Sequence, residues 1–323
     1  MRYRKLGRTG FEVSEIGHGL WGMGEWSGGD DRDSAAALQR SVDLGCNFFD
    51  TAWAYADGKS DRMLGELLRR NAGKRLYAAS KVPPKNGKWP GTARDAYTNV
   101  FPAAHVLAHV DLIRRALDRD TIDLLQFHVW DDSWSTHPEF RETVERLKAS
   151  GAIRAFGLSL NRWEATNGLV AIRSGLVDAV QVIYNIFDQA PEDDLFPLCE
   201  QMDVGVIARV PFDEGSLTGT LTLTTRFPSE DWRSKYFSAE NLRPTVERVA
   251  RLKQVLPSAM ALPEMALRFI LTSPTVSTVI PGMRSTRHVE SNLAASEHGP
   301  LASELVARLR GHRWDRTPQP WSD

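Results

Sequence analysis

Residues 121–160, TIDLLQFHVWDDSWSTHPEFRETVERLKASGAIRAFGLSL, hold two short apolar runs rich in β-branched and aromatic side chains. These runs, TIDLLQFHV and IRAFGLSL, flank a helical stretch, HPEFRETVERLKASG. Strand, helix and strand within this span make one βα repeat, and a helix between two strands implies that they run parallel. Downstream the alternation continues through RWEATNGLVAIRSG, VDAVQVIY, DDLFPLCEQM, VGVIARV, VSTVIPG and TRHVESNLAA. Upstream, VSEIGHG leads to a helix near DRDSAAALQRSVDLG, with Asp33 or Ser34 as its cap and Gly45 as its stop. CNFFD precedes SDRMLGELLRRNAG, which has Met63, Leu64, Leu67 and Leu68 on one face, and RLYAAS precedes AAHVLAHVDLIRRALDR. Eight strand candidates, nearly all followed by a helix, are the number that closes a (β/α)8 TIM barrel. The expected class is therefore α/β, with 1–323 as a single domain. Residues 1–14, around YRKLGRTGFEV, read as an N-terminal β-hairpin, and 300–323 as a C-terminal tail. Long loops, 82–102 and 210–243, follow the third and seventh strands, at the end where such barrels build their sites.

The 323 residues carry 40 Lys+Arg against 41 Asp+Glu, a net charge of −1, so nothing favours a nucleic-acid or anionic-membrane partner. No apolar run nears the roughly 18 residues of a membrane span, and the N-terminus lacks a signal-peptide core. With Cys46 and Cys199 the only cysteines, a reducing, cytoplasmic setting is expected. Ten tryptophans are the compositional oddity.

Three signals have structural explanations. Gly17-His18-Gly19-Leu20-Trp21-Gly22 matches the dinucleotide pattern G-x-G-x-x-G, but MGEWSGGDD follows it where a helix would have to open. His105 and His109 have the i, i+4 spacing of a zinc pair without the Glu or the third ligand, and no metal is expected. Asp30, Asp31 and Asp33 suit the positive end of a helix dipole.

Chemistry gathers at the strand ends. FFDTAWAY supplies Asp50 and Tyr55, YAASK supplies Lys81, and LLQFH supplies His128. On one barrel mouth these form a proton-delivery group: an ammonium lowers the phenol's pKa, a carboxylate holds the ammonium, and an imidazole shares the substrate oxygen. No side chain donates hydride, so a nicotinamide cofactor must.

With these four residues on successive strands, the sequence resembles the aldo-keto reductase superfamily from YRKLGRTGFEVSEIGHGLWG to VIPGMRSTRHVESNL. The resemblance implies a (β/α)8 barrel that moves hydride between NADPH and an aldehyde, ketone or secondary alcohol, with NADH less favoured and Tyr55 as acid or base. It assigns Asp50, Tyr55, Lys81 and His128 to the catalytic tetrad. Ser159 and Gln181 fall where the family binds the nicotinamide carboxamide; Asn161 follows after an intervening Leu160. Trp21 is another expected cofactor contact. In the seventh-strand segment Arg209, Pro211 and Phe212 replace the family's usual residues. Arg209 is placed to stack on or pair with the cofactor, or to reach a polar substrate. Gly215, Leu217 and Gly219 resemble the pyrophosphate loop. Gly282, Met283, Arg284, His288 and Asn292 resemble the adenosine-phosphate segment, where Arg284 suits a 2′-phosphate. Trp21, Trp53, Trp89 and Trp130 are expected to wall the substrate pocket, and Asp131 and Asp132 hint at a polyhydroxylated ligand. The tail, with Trp314 and Trp321, would cover the mouth or a contact in a homo-oligomer. Two other functions fit the same residues: a cofactor-sensing regulatory binding subunit, and a Schiff-base aldolase using Lys81.

Overall fold

The computed structural model describes residues 1–23 and 30–319. Two strands, β1 (Tyr3–Lys5) and β2 (Glu12–Ser14), pair antiparallel as the expected hairpin. Eight parallel strands follow among the described residues: β3 (His18–Gly19), β4 (Phe48–Asp50), β5 (Tyr77–Val82), β6 (Ile122–Phe127), β7 (Ile153–Ser159), β8 (Ala179–Ile183), β9 (Gly205–Arg209) and β10 (Val276–Val279). Their spatial order is their chain order. Parallel bridges from Ile16 to Val279 and from Gly19 to Gly282 join the two edges and close the (β/α)8 barrel.

The glycines that imitate a dinucleotide fingerprint serve this seam. A Cβ on Gly19 would lie 2.8 Å from the Ile280 carbonyl oxygen, and one on Gly17 would lie 3.0 Å from Phe48. Close approach of β3 to its neighbours, not a cofactor turn, is what these positions require.

Side-chain alternation divides each strand between two cores. Outward residues such as Phe49, Ala78, Leu125 and Phe156 pack against the helices. Inward residues Phe48, Tyr77, Ala79, Leu124, Ala155, Ala179 and Ile207 fill the barrel floor, closed from below by Leu6, Phe11 and Val13 of the hairpin. Arg8 fixes that plug through Asp178 and the carbonyls of Gly175 and Val177.

Three local expectations are corrected. The cap of the first helix, Asp31–Asp43, is Asp30, which accepts the Arg32 amide at 2.6 Å, rather than Asp33 or Ser34. The stretch 162–175 is helical only over Leu169–Arg173: Trp163 takes a positive φ of 57°, and Gly168, with an extended φ of 174°, directly precedes the helix. Asp132 accepts the amides of Val170 and Ala171 where that short helix starts. This, with the bond from Trp130 Nε1, occupies Asp132. Asp131 meanwhile accepts from Ser133, so both aspartates hold the loop together rather than marking a sugar site.

Candidate active site

Two residues above the apolar floor, the same inward faces turn polar. Phe48 leads to Asp50, Ala79 to Lys81, Leu124 to Gln126 and then His128, Ala179 to Gln181, and Ile207 to Arg209. Register aligns this layer: Lys81 lies opposite Gln126, and Ser159 opposite Gln181. A period of two therefore turns one ring of strands into a dry base and a polar mouth.

Lys81 Nζ donates to Asp50 Oδ1 at 2.5 Å and to the Thr51 carbonyl at 2.8 Å, with no solvent exposure of its side chain. The other Asp50 oxygen accepts from Gln181 at 2.8 Å and Gln126 at 3.2 Å. Gln126 escaped the sequence reading, although its place two residues before His128 puts it on the same face. Burial pushes the Lys81 pKa down while Asp50 opposes that shift. Lys81 is thus a fixed structural cation whose amine is already occupied, and it does not line the pocket above, which leaves a Schiff-base role without support.

Tyr55 lies on the turn after β4. Its ring meets His128 edge-on at 5.7 Å, and Lys81 Nζ lies 5.5 Å from its centroid. The indole of Trp89 packs edge-on against the other side of His128 at 4.7 Å. Burial, followed by Asp50, holds the Tyr55 phenol well above its ordinary pKa; Arg209 acts in the opposite sense. The expected acidification by Lys81 is therefore corrected: Asp50 neutralises that ammonium, and Arg209 is the opposing cation. Burial, Lys81 and Arg209 together keep His128 well below its ordinary pKa, so the imidazole is neutral at pH 7. The pair comprises a protonated phenol and an uncharged hydrogen-bonding ring.

These side chains border a cavity of about 460 Å³ that also meets Trp21, Trp89, Ser159, Asn161, Gln181, Arg209 and Pro318. Of the four tryptophans expected there, Trp21 and Trp89 line it, exposed by 40% and 46%. The other two do not. Trp130 is fully buried against Phe127, Phe140 and Trp134, and Trp53 packs on His109 beside Gly58. Asn161 spends its amide N–H groups on Gly91, Trp130 and Glu164, leaving Oδ1 buried without a partner at the cavity.

The remaining expected cofactor residues lie outside this cavity. After β9 the chain passes through Val210, Asp213 and Glu214 with φ of 55°, 44° and 56°, then Gly215 at 108° and Gly219 at 77°. For a β-branched Val210 this is an uncommon conformation, held only where surrounding contacts over-determine it. Gly215 and Gly219 take the left-handed region without penalty. Leu217 and Met283 are fully buried; Pro211 and Asn292 are also buried, whereas Phe212 is half-buried. Arg284 lies against Gly22 and faces Asp231 of the long seventh loop, whose pKa is lowered first by Arg233 and least by Arg284. His288, Gly282 and the start of helix Thr286–Glu297 are exposed beside it.

The tail does cover the mouth. Pro318 lines the cavity, and Arg316, 3% exposed, pairs with Asp188 and, at 2.9 Å, with Asp213. Arg316 also donates to the Tyr236 hydroxyl, which itself donates to Asp213 at 2.8 Å. Asp213 accepts from Ser216 within the glycine loop. Trp314 packs on Phe187, while Trp321 lies outside the described residues. Arg316→Gln is expected to free this tail, making the segment beyond 310 the first site of limited trypsin cleavage. Cleavage patterns of wild type and variant check it.

A buried carboxyl below the mouth supplies a pH prediction. Asp61 on the helix Lys59–Arg70 accepts from Ser80 at 2.6 Å, and its second oxygen has no partner. Burial raises its pKa to about 7, against the opposing Ser80 bond and the Lys81 charge. The native state therefore binds more protons than the unfolded chain between about pH 4 and 7, and stability from this group falls as pH rises through that window. Asp61→Asn should raise Tm relative to wild type at pH 8, with a smaller gain at pH 5. Thermal denaturation at the two pH values measures this difference.

A closed barrel with charged and hydrogen-bonding side chains confined to the strand C-terminal ends belongs to the class of α/β-barrel enzymes. A model of the aldo/keto reductase family matches residues 15–313. An aldo-keto reductase from Bacillus halodurans, solved in its holo form, superposes with a TM-score of 0.78 at 25% identity over 100% of both chains. An Escherichia coli protein named NADH-specific methylglyoxal reductase is 27% identical over 91% of this chain and 93% of its own. A rice protein named as a probable voltage-gated potassium channel subunit beta is 26% identical over 96% and 95%. The chain belongs to the aldo/keto reductase family of oxidoreductases.

Among the described residues no helix is long and apolar enough to cross a membrane, and no group of three metal-ligating side chains occurs. His105 and His109 spend ring nitrogens on the carbonyls of Pro83 and His105.

Proposed function

We propose that this protein reduces an aldehyde or ketone with NADPH, with Tyr55 as the proton donor, and runs in reverse on the corresponding alcohol. The observation that carries this reading is the meeting of Tyr55 and His128 above the buried Asp50–Lys81 pair, at the wall of one cavity. NADPH, when bound, supplies the hydride; one carbonyl, one NADPH and one proton give one alcohol and NADP+.

The residues present fit that cofactor. The unpartnered Asn161 Oδ1 can accept from a carboxamide N–H, and Ser159 lies on the same wall. Gln181 has its amide N–H engaged by Asp50 and Gln126, so its contribution is through the remaining oxygen. Gly215 and Gly219 let backbone amides approach a pyrophosphate, and Arg284 with the start of the helix Thr286–Glu297 suits a 2′-phosphate.

The protein's own steps are few. His128, neutral, orients the carbonyl oxygen by a hydrogen bond, and the phenol of Tyr55 gives that oxygen its proton. Asp50 and Lys81 hold the floor beneath Tyr55, with Gln126 and Gln181 fixing the carboxylate. Trp21, Trp89 and the tail at Pro318 limit water at the mouth. Absorbance at 340 nm over a panel of sugars, steroids and small carbonyl compounds, each with NADPH and with NADH, tests the reading. NADPH oxidation, faster than NADH oxidation, is the expected result. Tight NADPH binding with no turnover on any compound would instead favour a cofactor-sensing binding subunit.

A further inference from the structure

Arg209 is a half-buried cation, with its Nε out of solvent, that the proton-delivery group does not account for. It ends β9, two residues above Ile207 of the barrel floor, and reaches the cavity wall with Tyr55 and His128. Its Nη2 donates to the Leu160 carbonyl at 2.9 Å, while its Nε is buried and has no hydrogen-bond partner. Among the described residues no carboxylate lies within ion-pair distance of it. The nearby acids are engaged elsewhere: Asp50 with Lys81, Glu214 with Arg162 at 2.7 Å, and Glu164 with Asn161 and Asn167.

A guanidinium in such a place costs free energy unless an anion meets it. Its own pKa falls to about 10, first through burial and then through the like charge of Arg162. Tyr55 does not provide the missing charge, since its phenol stays protonated. A nicotinamide ring does not provide it either, being uncharged when reduced and positive when oxidised. The phosphates of such a cofactor would lie with Gly215, Gly219 and Arg284, none of which borders this cavity.

We infer that Arg209 is a specificity residue that binds an acidic group of the substrate, so that the preferred substrates are small aldehydes or ketones bearing a carboxylate. Nε and the outward edge of the guanidinium are the donors, and the carbonyl is presented to Tyr55 and His128 on the same molecule. This inference rests on the carbonyl-reduction reading, and its test separates the two.

The test compares a 2-oxo carboxylate and a longer ω-oxo carboxylate with their uncharged methyl esters, using wild type, Arg209→Gln and Arg209→Lys. Wild type should favour each acid over its ester. Arg209→Gln should lose about 10- to 100-fold more in kcat/KM on the better acid than on its ester, the loss on the ester measuring what the Arg209 charge does at Tyr55 and His128. Arg209→Lys should recover part of the loss. NADPH affinity, followed by its fluorescence, should stay within about twofold of wild type. Equal losses on acid and ester, or a loss that tracks weakened NADPH binding, would overturn the inference in favour of a cofactor contact. A second readout does not depend on turnover: quenching of tryptophan fluorescence by a non-reducible small carboxylate, with Trp21 and Trp89 as reporters. Saturable quenching in wild type that is weakened in Arg209→Gln supports carboxylate recognition even if no carbonyl is reduced. Its absence in wild type, or equal quenching in both, contradicts it.

Discussion

Tyr55→Phe should lower kcat/KM for carbonyl reduction by about 100- to 10,000-fold, the usual range for losing a positioned general acid. The substitution removes one hydroxyl and keeps the ring, so the 5.7 Å edge contact with His128 survives. NADPH affinity should hold, because the substitution removes only a hydroxyl to which no cofactor contact is assigned, and the loss should appear in kcat. No neighbour is ready to replace the phenol. His128 is held neutral by burial and two nearby cations, and Lys81 is locked beneath by Asp50 and Thr51. The raised phenol pKa also fixes the pH profile of wild type. Tyr55 keeps its proton through neutral and mildly alkaline pH, so reduction should stay flat to about pH 9 with respect to this group. Oxidation needs the phenolate and should climb with pH over the same interval. Steady-state rates in both directions from pH 6 to 9 measure this, and a reductive rate that falls near pH 7 would remove Tyr55 as the acid.

Lys81→Met should be the most destabilising single change at the mouth. The ammonium and the Asp50 carboxylate are both out of solvent at 2.5 Å. Removing one member of such a pair leaves the other as a buried charge, at a cost of about 3–5 kcal/mol. Gln126 and Gln181 still donate to Asp50, which places the loss towards the lower part of that range. Asp50 is a cause of the raised Tyr55 pKa, so an unpaired Asp50 would hold the phenol proton more tightly still and slow its transfer. Chemical denaturation gives the stability change, and kcat on the folded variant gives the catalytic one. Replacing both residues, with Asp50→Asn and Lys81→Met together, should recover stability relative to Lys81→Met while leaving activity low. A stable, fully active Lys81→Met protein would mean that the buried pair has neither role.

Most of the barrel was legible because its signal is periodic. Short apolar runs alternate with helical patterns, and each run turns polar at its C-terminal end, so Asp50, Lys81 and His128 stand out along the chain. Gln126 obeys the same alternation, but a glutamine between Leu125 and Phe127 looks like a packing residue until Asp50 is seen across the barrel. Depth was not legible. Trp89 and Trp130 both follow polar-ended strands, yet one lines the cavity and the other lies in the core beside Phe140. Which occurs depends on neighbouring helices and loops rather than on local pattern. The tail contacts were equally hidden, since Arg316 meets Asp188, Asp213 and Tyr236 far away in sequence, with no spacing rule to connect them. The charge state of Tyr55 also depends on depth: a nearby ammonium suggested acidification, but burial and the Asp50–Lys81 pairing reverse the sign.

Hydride transfer into a carbonyl at this mouth is tested most directly by isotope transfer. The protein would be incubated with NADPH dideuterated at nicotinamide C4 and with the carbonyl panel in ordinary water, and the products read by mass spectrometry. Carbonyl reduction predicts an alcohol carrying one deuterium on its carbinol carbon from wild type, and almost none from Tyr55→Phe. An alcohol without deuterium, or no alcohol from any compound, would contradict it.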